Sequence, residues 1–232
     1  MRVFRGRAGS IETDREASRR LLSIAADGES AVRVWTPHRQ VAFGRRDARR
    51  EGYDRARAAA DKRGFPPIER DVGGRAVAYD GATTLAFARA EPVTDSRTGT
   101  TERYERATTA LEQALQNLGL EPSHGEPDDS FCSGTHSLSV NTRADGRERK
   151  VVGIAQRVRS DAALVAGIVL VANRGDLAAV LEAIYDALDV ALEPASVGSI
   201  TAAGGPSDPE PVRAAIEDAL VGDATAVSIE SL

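Results

Sequence analysis

Three apolar segments near the middle of the chain, joined by short polar turns, constrain the fold more than any other feature. Ser137–Asn141, Lys150–Arg157 and Ala163–Val171 have the composition of strands, and the turns Arg143–Glu148 and Ser160–Asp161 connect them. Connections this short can join only antiparallel neighbours, because a parallel pair needs a crossover of a dozen or more residues. The pattern therefore predicts an antiparallel meander.

Periodicity and turn residues predict the remaining elements. Apolar residues at helical spacing predict helices at residues 12–26, 53–62, 101–118, 177–187 and 209–220. Shorter extended segments predict strands at residues 31–35, 40–43, 68–70, 76–79 and 83–89, with a loop at 121–130. We expect Thr13 to cap the first helix and Asp208 the last. Because strands outnumber helices, the predicted fold class is α+β, a mainly antiparallel sheet with packed helices.

Composition limits the kind of protein. The chain has 232 residues, of which 41% are hydrophobic and 28% are charged, as in globular proteins. No apolar run approaches the ~20 residues that span a bilayer, and residues 1–7 lack the apolar core of a signal peptide, so we expect a cytoplasmic protein. The net charge of −5 disfavours nucleic-acid binding. We assign residues 1–190 to one domain and residues 191–232 to a short extension with one helix, packed on that domain.

A pair of glycines, Gly73 and Gly74, directly precedes the strand predicted at 76–79. Without side chains, the backbone there can approach a ligand closely and present N–H groups to an anion or a carbonyl oxygen. Arg70, at the end of the preceding strand, would supply a bidentate donor to a carboxylate or phosphate. The alternative is an ordinary hairpin turn with an arginine on the surface.

The single cysteine, Cys132, excludes an internal disulfide and a CxxC zinc site. It lies in the polar, glycine-containing stretch Ser130–Gly134 just before a strand, whereas structural cysteines usually lie in apolar segments. This context points to a reactive thiol, and a partly buried spectator is the alternative.

Lysine is scarce: of the thirty lysines and arginines, only Lys62 and Lys150 are lysines. Lys150 opens an apolar strand, so its ammonium would lie at the mouth of a pocket. There it would polarise a carbonyl or lower the pKa of a nearby thiol. Gly153, in the middle of the same strand, indicates close approach of a ligand or of backbone. The alternative is a surface lysine beside a turn.

The three histidines carry a weaker signal. His38 and His124 lie in polar segments and are expected to be solvated, while His136, four residues after Cys132, would lie at a strand edge or assist the thiol. The sequence contains no HxH, HExxH or Walker-type motif, so we expect neither a catalytic metal nor a P-loop nucleotide site.

The glycine-pair segment resembles a motif of the lipoate–protein ligase and octanoyltransferase family, which shares its catalytic fold with biotin–protein ligases. The family stretch R-x-x-G-G-x-A-V-x-x-D is matched without gaps from Arg70 through Gly73, Gly74 and Ala76 to Asp80. Two residues of this region depart from the ligase pattern. Glu69 stands where ligases usually have a second arginine, and Arg75 where they have a third glycine, which puts a nucleotide-cradling loop in doubt.

The lysine segment resembles a second motif of that family. The stretch G-(R/K)-K-x-x-G-x-x-Q-R is matched from Lys150 through Gly153 to Gln156 and Arg157, and residues 41–45 are similar to an early strand end of the family. The resemblance covers roughly residues 15–190. It implies a biotin/lipoate protein ligase-like catalytic domain over residues 1–190.

The cysteine segment is similar to one subgroup of the family. Members of this subgroup carry S-(Y/F)-C-P-G before the lysine motif, and Ser133 replaces the proline here. They are amidotransferases that move octanoyl groups through a cysteine thioester. The resemblance implies that Cys132 would form the thioester and that Lys150 would hold the acyl carbonyl. The residues implied to bind the substrate are Arg70, Gly73, Gly74, Ala76, Gly153, Gln156 and Arg157.

Two hypotheses about the reaction follow from the resemblance. In the first, an octanoyl or lipoyl group moves to the lysine of a lipoyl carrier domain without a cofactor; the carriers are 2-oxoacid dehydrogenase E2 and the glycine-cleavage H protein. In the second, an ATP- and Mg²⁺-dependent ligase forms lipoyl-AMP, Lys150 contacts carboxylate and phosphate oxygens, and Cys132 is a bystander. A non-catalytic acyl-binding homologue is a third, more remote hypothesis.

Overall fold

The computed structural model describes residues 1–70 and 72–232; Asp71, in the glycine-pair segment, lies outside the described residues. The helices in the described part of the chain are α1 (Ile11–Ala26), α2 (Tyr53–Asp61), α3 (Thr100–Asn117), α4 (Arg174–Ala187) and α5 (Pro209–Val221). The strands there are β1 (Arg2–Arg5), β2 (Ala31–Trp35), β3 (Gln40–Phe43), β4 (Pro67–Glu69), β5 (Val77–Tyr79), β6 (Thr84–Pro92), β7 (Pro122–His124), β8 (Ser137–Asn141), β9 (Glu148–Val158), β10 (Ala162–Leu170) and β11 (Ser228–Ser231).

Eight strands form one large sheet in the order β11–β1–β2–β6–β10–β9–β8–β7. Its neighbours are antiparallel except at β1, which runs parallel to both β2 and β11. Strands β8, β9 and β10 form the expected meander. A smaller sheet has the order β4–β3–β5. The predicted α+β class, a mainly antiparallel sheet with packed helices, is confirmed.

Two details of the sequence prediction are wrong. The structure adds the short strands β1, β7 and β11, and β7 lies inside the segment expected to be a loop. Strands of three or four residues are too short to show a clear alternation of side chains. The cap of α1 is Ser10, whose hydroxyl accepts the backbone N–H of Thr13, and Thr13 completes a reciprocal capping box. Asp208 caps α5 as expected.

The two faces of the large sheet carry side chains of different size. On β6, Leu85 and Phe87 pack with α3 and α5, whereas Ala88 and Ala90 point to the opposite face and pack with α1. Side chains alternate between faces along a strand, so Ala86 shares the α1 face. Because alanine is small, a slot remains between α1 and this part of the sheet.

The smaller sheet builds a second core with α2 and α4. Val41, Phe43 and Val77 from this sheet are buried against Leu181 and Tyr185 of α4. Phe131 and Cys132 join the same cluster from the loop before β8. This core therefore brings the glycine-pair segment, the cysteine and α4 together.

The last forty residues attach to the body of the fold at two places. Helix α5 buries Val212, Ile216 and Leu220 against α3 and the large sheet. Strand β11 pairs in parallel with β1, so the two ends of the chain share one sheet edge. The division at residue 190 stays a prediction. In the described part of the chain, no helix combines the length and apolar character needed to cross a membrane.

A buried ion pair fixes α1 to the large sheet. Arg33 of β2 is fully buried and donates to an Asp14 carboxylate oxygen at 2.5 Å, to Ser18 Oγ at 2.9 Å and to the Gly6 carbonyl at 3.0 Å. The other oxygen of Asp14 accepts the indole N–H of Trp35 at 2.9 Å. The pair thus sets the position of α1, and of Trp35, relative to the slot.

We expect Arg33→Leu to lower the free energy of unfolding by about 3–5 kcal/mol, because it leaves Asp14 buried without its charge partner. The measurement is chemical denaturation. The control is Arg97→Leu, which removes an exposed pair with Asp95 and should leave the free energy of unfolding nearly unchanged. Equal losses in the two variants would contradict the structural role of the buried pair.

Candidate active site

Cys132 lies in the loop between β7 and β8, in a backbone conformation that is rare for a residue with a side chain. Its φ is +45°, in the left-handed region. Its backbone N–H donates to the hydroxyl of Tyr185 at 2.6 Å, and that hydroxyl donates to the carbonyl of Ala76 at 3.0 Å. Tyr185 is buried in α4. It therefore links the cysteine loop to the segment that follows the glycine pair.

The sulfur of Cys132 receives two hydrogen bonds from that segment. Arg70 donates through a guanidinium N–H at 3.1 Å, and the backbone N–H of Arg75 donates at 3.2 Å. The same guanidinium nitrogen also donates to the Arg75 carbonyl at 2.6 Å, so Arg70 closes the turn on itself. Two donors directed at one sulfur favour the thiolate.

Glycine is required at position 74 by this geometry. Its φ is +96°, and a Cβ there would lie 2.4 Å from the Arg70 guanidinium and 2.5 Å from the Cys132 sulfur. The turn is also closely packed underneath, because a Cβ on Gly44 would lie 1.8 Å from the Gly74 carbonyl oxygen. At Gly73, by contrast, a Cβ would meet none of the described residues within 4 Å. The two adjacent glycines therefore differ in role.

Lys150 lies beneath the cysteine loop and is fully buried, whereas the sequence predicts its ammonium at the mouth of a pocket. The ammonium donates to the carbonyls of Phe131 at 2.9 Å and Cys132 at 3.0 Å, and it also bonds to the Glu126 carboxylate. These contacts use all three of its N–H donors. In the described part of the chain, Lys150 thus bonds to the carbonyl of Cys132 and not to its sulfur.

Glu126 connects the two sides of the cysteine loop, a role that no sequence motif indicates. One carboxylate oxygen accepts the backbone N–H of Gly134 at 2.7 Å. The other accepts the hydroxyl of Ser137 at 2.7 Å together with the Lys150 ammonium. An acidic residue in a Pro/Gly/Asp-rich loop is normally exposed to solvent. The contact of Glu126 with Lys150 is therefore visible only in the folded structure.

The charges around Cys132 determine its ionisation. Burial of the thiol opposes ionisation, but the positive charges of Arg70 and Lys150 and the hydrogen bonds from Arg75 N–H and Arg70 outweigh burial. The pKa of Cys132 consequently lies below its ordinary value. A thiolate is the nucleophilic form of cysteine, so the sulfur is chemically activated.

The slot under α1 has a volume of about 160 Å³ and meets the thiol site at Arg70. Its walls are mainly apolar and include Leu22, Trp35, Ile68, Val72, Tyr79, Ala86, Ala88, Leu164 and Ala166. Burial raises the pKa of Tyr79 to about 12, so its phenol stays neutral. Such a space suits an alkyl chain whose polar end points towards Arg70.

The four remaining predicted residues lie in different places. Arg157 lines the slot. Gly153 packs against the stem of Lys150 and against Ile168, while Ala76 contributes its carbonyl to Tyr185. Gln156 lies away from the thiol, because its amide bonds to the Arg103 guanidinium at 2.7 Å and to the Thr100 carbonyl at 3.1 Å, at the start of α3.

Asp47 supports the glycine-pair turn from below. Its carboxylate is fully buried, accepts the backbone N–H of Gly44 at 3.0 Å and pairs with the Arg75 guanidinium at 3.3 Å. The sequence similarity at residues 41–45 pointed to this region but not to Asp47. The carboxylate thereby fixes both segments that meet at Gly74.

The histidines take structural positions. His136 stacks on Tyr104 with ring centroids 4.1 Å apart, just before β8. His124 is exposed, as expected, and contacts Glu112 at 2.9 Å, whereas His38 is partly buried and lies 2.7 Å from the Ala8 carbonyl. The solvated position expected for His38 is therefore wrong, because the segment before α1 covers it.

Comparisons of the sequence identify related proteins. A family model described as the lipoyl protein ligase A/B catalytic domain matches residues 15–221. An octanoyl-[GcvH]:protein N-octanoyltransferase of Kyrpidia tusciae is 32% identical over 149 residues, which are 63% of this chain and 47% of that protein. A lipoyl-[GcvH]:protein N-lipoyltransferase of Listeria monocytogenes is 27% identical over 128 residues, 55% of this chain and 44% of that protein. The chain thus spans about half the length of these relatives.

Comparisons of the structure show the fold. A crystal structure of lipoate-protein ligase A bound with ATP has a TM-score of 0.76 and 19% identity, covering 100% of this chain and 88% of that chain. Protein Ta0514 of Thermoplasma acidophilum, with bound lipoic acid, has a TM-score of 0.69 and 18% identity over the same shares. At these identities the likeness concerns architecture.

We expect Gly74→Ala to raise the pKa of Cys132, because the new Cβ displaces the Arg70 guanidinium from the sulfur. Alkylation of Cys132 by iodoacetamide near neutral pH should slow about tenfold, and the rate should recover as the pH is raised. Gly73→Ala is the matched control and should keep the wild-type profile. If both variants, or neither, moved the profile, the contact at Gly74 would not control the thiol.

Proposed function

The chain belongs to the lipoyl protein ligase A/B catalytic domain family, and from this premise we propose that it transfers an octanoyl or lipoyl group to the lysine of a lipoyl carrier domain. The family match confirms the resemblance to the lipoate–protein ligase and octanoyltransferase family. One observation carries the choice of a thioester route: a thiol with a lowered pKa lies beside an apolar slot, with Arg70 between them.

The proposed first step loads Cys132. The thiolate attacks the carbonyl carbon of an acylated donor and a C–S bond forms. The bond from that carbon to the donor's heteroatom breaks, and the leaving group takes from water a proton equivalent to the one that the thiol released. Arg70 and the backbone N–H of Arg75 donate to the sulfur, so both groups would lie next to the carbonyl carbon that the sulfur attacks. The Nε of Arg70 is buried, and none of the described residues accepts its hydrogen, so it is a donor for the oxygen that gains negative charge.

In the proposed second step, the carrier lysine takes the acyl group. A neutral amine attacks the thioester carbon, a C–N bond forms and the C–S bond breaks. The nitrogen loses one proton to water, and the sulfur leaves as the thiolate. Lys150 contributes through its charge and through the Phe131 and Cys132 carbonyls, which hold the loop. Direct contact of Lys150 with the acyl oxygen, as the family resemblance implies, would require it to exchange one of these partners.

The predicted substrate-binding residues divide by distance from the thiol. Arg70, Gly74 and Ala76 would surround the acyl head, and Arg157 would contact the chain in the slot. Gly73 would face the approaching partner. Gly153 and Gln156 would act indirectly, Gly153 by packing against Lys150 and Gln156 by fixing the start of α3. Each methylene buried in the slot would contribute about 0.8 kcal/mol to binding.

The proposed partners follow the names of the curated relatives, which refer to GcvH. We assign the glycine-cleavage H protein as donor or acceptor and E2 lipoyl domains as further acceptors, in the cytoplasm. The thioester route needs neither ATP nor Mg²⁺, because the acyl group arrives already activated or is exchanged between amides. The ligase alternative needs both.

We expect the protein, incubated with octanoylated H protein and no ATP, to gain one octanoyl group on Cys132, detected by intact mass. Cys132→Ser should abolish both this thioester adduct and transfer to an E2 lipoyl domain, because an alcohol ionises far less readily than a thiol. The parallel assay is pyrophosphate exchange with lipoate and ATP. If pyrophosphate exchange persists in Cys132→Ser and no octanoyl adduct forms on the wild-type protein, the ligase route is correct and the thioester route is wrong.

We expect Ala166→Phe to weaken octanoate binding at least about tenfold, because Ala166 lies beside Ala88 on the neighbouring strand, both residues line the slot, and a phenyl ring would displace two or more methylenes. Trp35, the single tryptophan, lines the slot and reports binding by its fluorescence. The control is Ala58→Phe on the exposed side of α2. Equal affinities in the two variants would show that the chain binds elsewhere, provided that the Cys132 alkylation profile stays unchanged.

A further inference from the structure

The turn after β3 is rich in arginine and is held rigidly next to the thiol site. We call residues Arg45–Arg50 the arginine turn. Asp47, inside it, bonds to the backbone of Gly44 and to the Arg75 guanidinium. The backbone N–H of Arg75 in turn donates to the Cys132 sulfur at 3.2 Å. One residue, Arg75, therefore separates the arginine turn from the reactive atom.

The positive charge of this region is not compensated by ion pairs. Residues 45–57 contain six arginines and three acidic residues, and none of the six pairs with a carboxylate among the described residues. The acidic residues do not cancel this charge, since Asp47 is used by Arg75 and only Glu51 and Asp54 remain. Elsewhere the arginines are commonly paired, as at Arg5 and Arg106.

Three guanidinium groups in the arginine turn form no hydrogen bond, ion pair or ring contact with any residue that the structure describes. Of the twenty-eight arginines, five form no hydrogen bond, ion pair or ring contact through the guanidinium within residues 1–70 and 72–232. These five are Arg45, Arg46, Arg49, Arg143 and Arg147, and all are exposed. Three of the five thus fall within five consecutive positions, beside the thiol.

The proposed reaction requires a docking surface for the carrier domain close to Cys132. A carrier lysine can attack a thioester on Cys132 only if the carrier rests on the residues around the thiol. The chain has a net charge of −5, so an acidic partner is repelled by most of its surface and attracted to a local positive region. Charges at the rim of an interface act mainly on association rate and on orientation.

Resting on the proposed function, we propose that the arginine turn is the docking surface for the acidic face of the carrier domain that delivers the acceptor lysine. Arg45, Arg46 and Arg49 meet carboxylates that flank this lysine. The buried Asp47 keeps the turn in register with the Gly74–Arg75 segment, so docking aligns the amine with the sulfur-bound acyl group.

The test compares two double charge reversals in the full-length chain. Arg46→Glu/Arg49→Glu alters the arginine turn but leaves Arg45, next to Gly44, in place. Arg143→Glu/Arg147→Glu makes the same change at unpartnered, exposed arginines in the turn between β8 and β9. For each, the Kd for a fluorescently labelled apo E2 lipoyl domain is measured by anisotropy at low and high salt. Acyl loading of Cys132 is measured by intact mass with octanoyl-coenzyme A, a donor that contains phosphate and that needs no docked carrier protein.

We expect the arginine-turn variant to raise the Kd on the order of tenfold at low salt, with a much smaller effect at high salt, where exposed charges are screened. The control variant should bind like the wild type, and both variants should load Cys132 normally. Equal Kd values in all three proteins, or equal losses in both variants, would overturn the proposal.

Two other outcomes separate this inference from the proposed function. If no protein shows transfer but the arginine-turn variant alone loses carrier binding, the docking surface stands and the acyl-transfer proposal fails. If the arginine-turn variant binds the carrier normally but loads Cys132 slowly from an acyl donor that contains phosphate, the turn serves the donor. That result would overturn the proposal.

Discussion

The close approach of two backbone segments at Gly74 determines the geometry of the candidate site. A hydrogen bond to sulfur has to span little more than 3 Å, and both Arg70 and the Arg75 N–H reach Cys132 at this distance. Either contact would be lost if position 74 carried a side chain, because a Cβ would collide with the sulfur and the guanidinium. The left-handed backbone at Cys132 matches this turn from the other side, and Tyr185 holds it there by accepting the cysteine N–H. The strain of a left-handed cysteine is thus offset by a buried hydrogen bond, as is common where function requires an unusual backbone.

The electrostatics of the site depend on an unequal distribution of counter-charges. Lys150 has a carboxylate partner, Glu126, within hydrogen-bonding contact, so its positive charge is largely balanced within the loop that it supports. Among the described residues, Arg70 pairs with no carboxylate, and it donates a hydrogen bond to the Cys132 sulfur. A buried cation without a carboxylate favours an anion beside it. For this reason Arg70 lowers the pKa of Cys132 more than Lys150 does, although the sequence pattern points to Lys150.

The sequence predicts residues whose role is local and misses those whose role depends on the fold. The glycine pair, the cysteine in a polar loop and the rare lysine could be identified because each is unusual in its own segment. Tyr185 could not, because within α4 it is simply one residue of a buried helix face, and its hydroxyl matters only through contacts 53 and 109 residues away. Similarly, β1 and β11 are four residues each, and their pairing joins the two ends of the chain, a relation that no local pattern contains. Lys150 combines both situations. Its place at the site is predicted from its scarcity and its strand, but its burial and its contact with Glu126 appear only in the fold.

The site has two distinct sides, and Cys132 lies between them. On one side, small residues of β6 and β10 leave an apolar slot under α1 that ends at Arg70. On the other, the Gly74–Arg75 turn connects the sulfur to Asp47 and so to the arginine turn. In the proposed reaction, an acyl chain in the apolar slot and a protein partner on the exposed positive surface would therefore occupy the site together without competing for space. A covalent thioester needs this separation: the chain must stay in place after the donor leaves and while the acceptor arrives. Arg70, which lines the slot, and Arg75, which pairs with Asp47, both donate to the Cys132 sulfur, so these two arginines connect the apolar side of the site to its positively charged side.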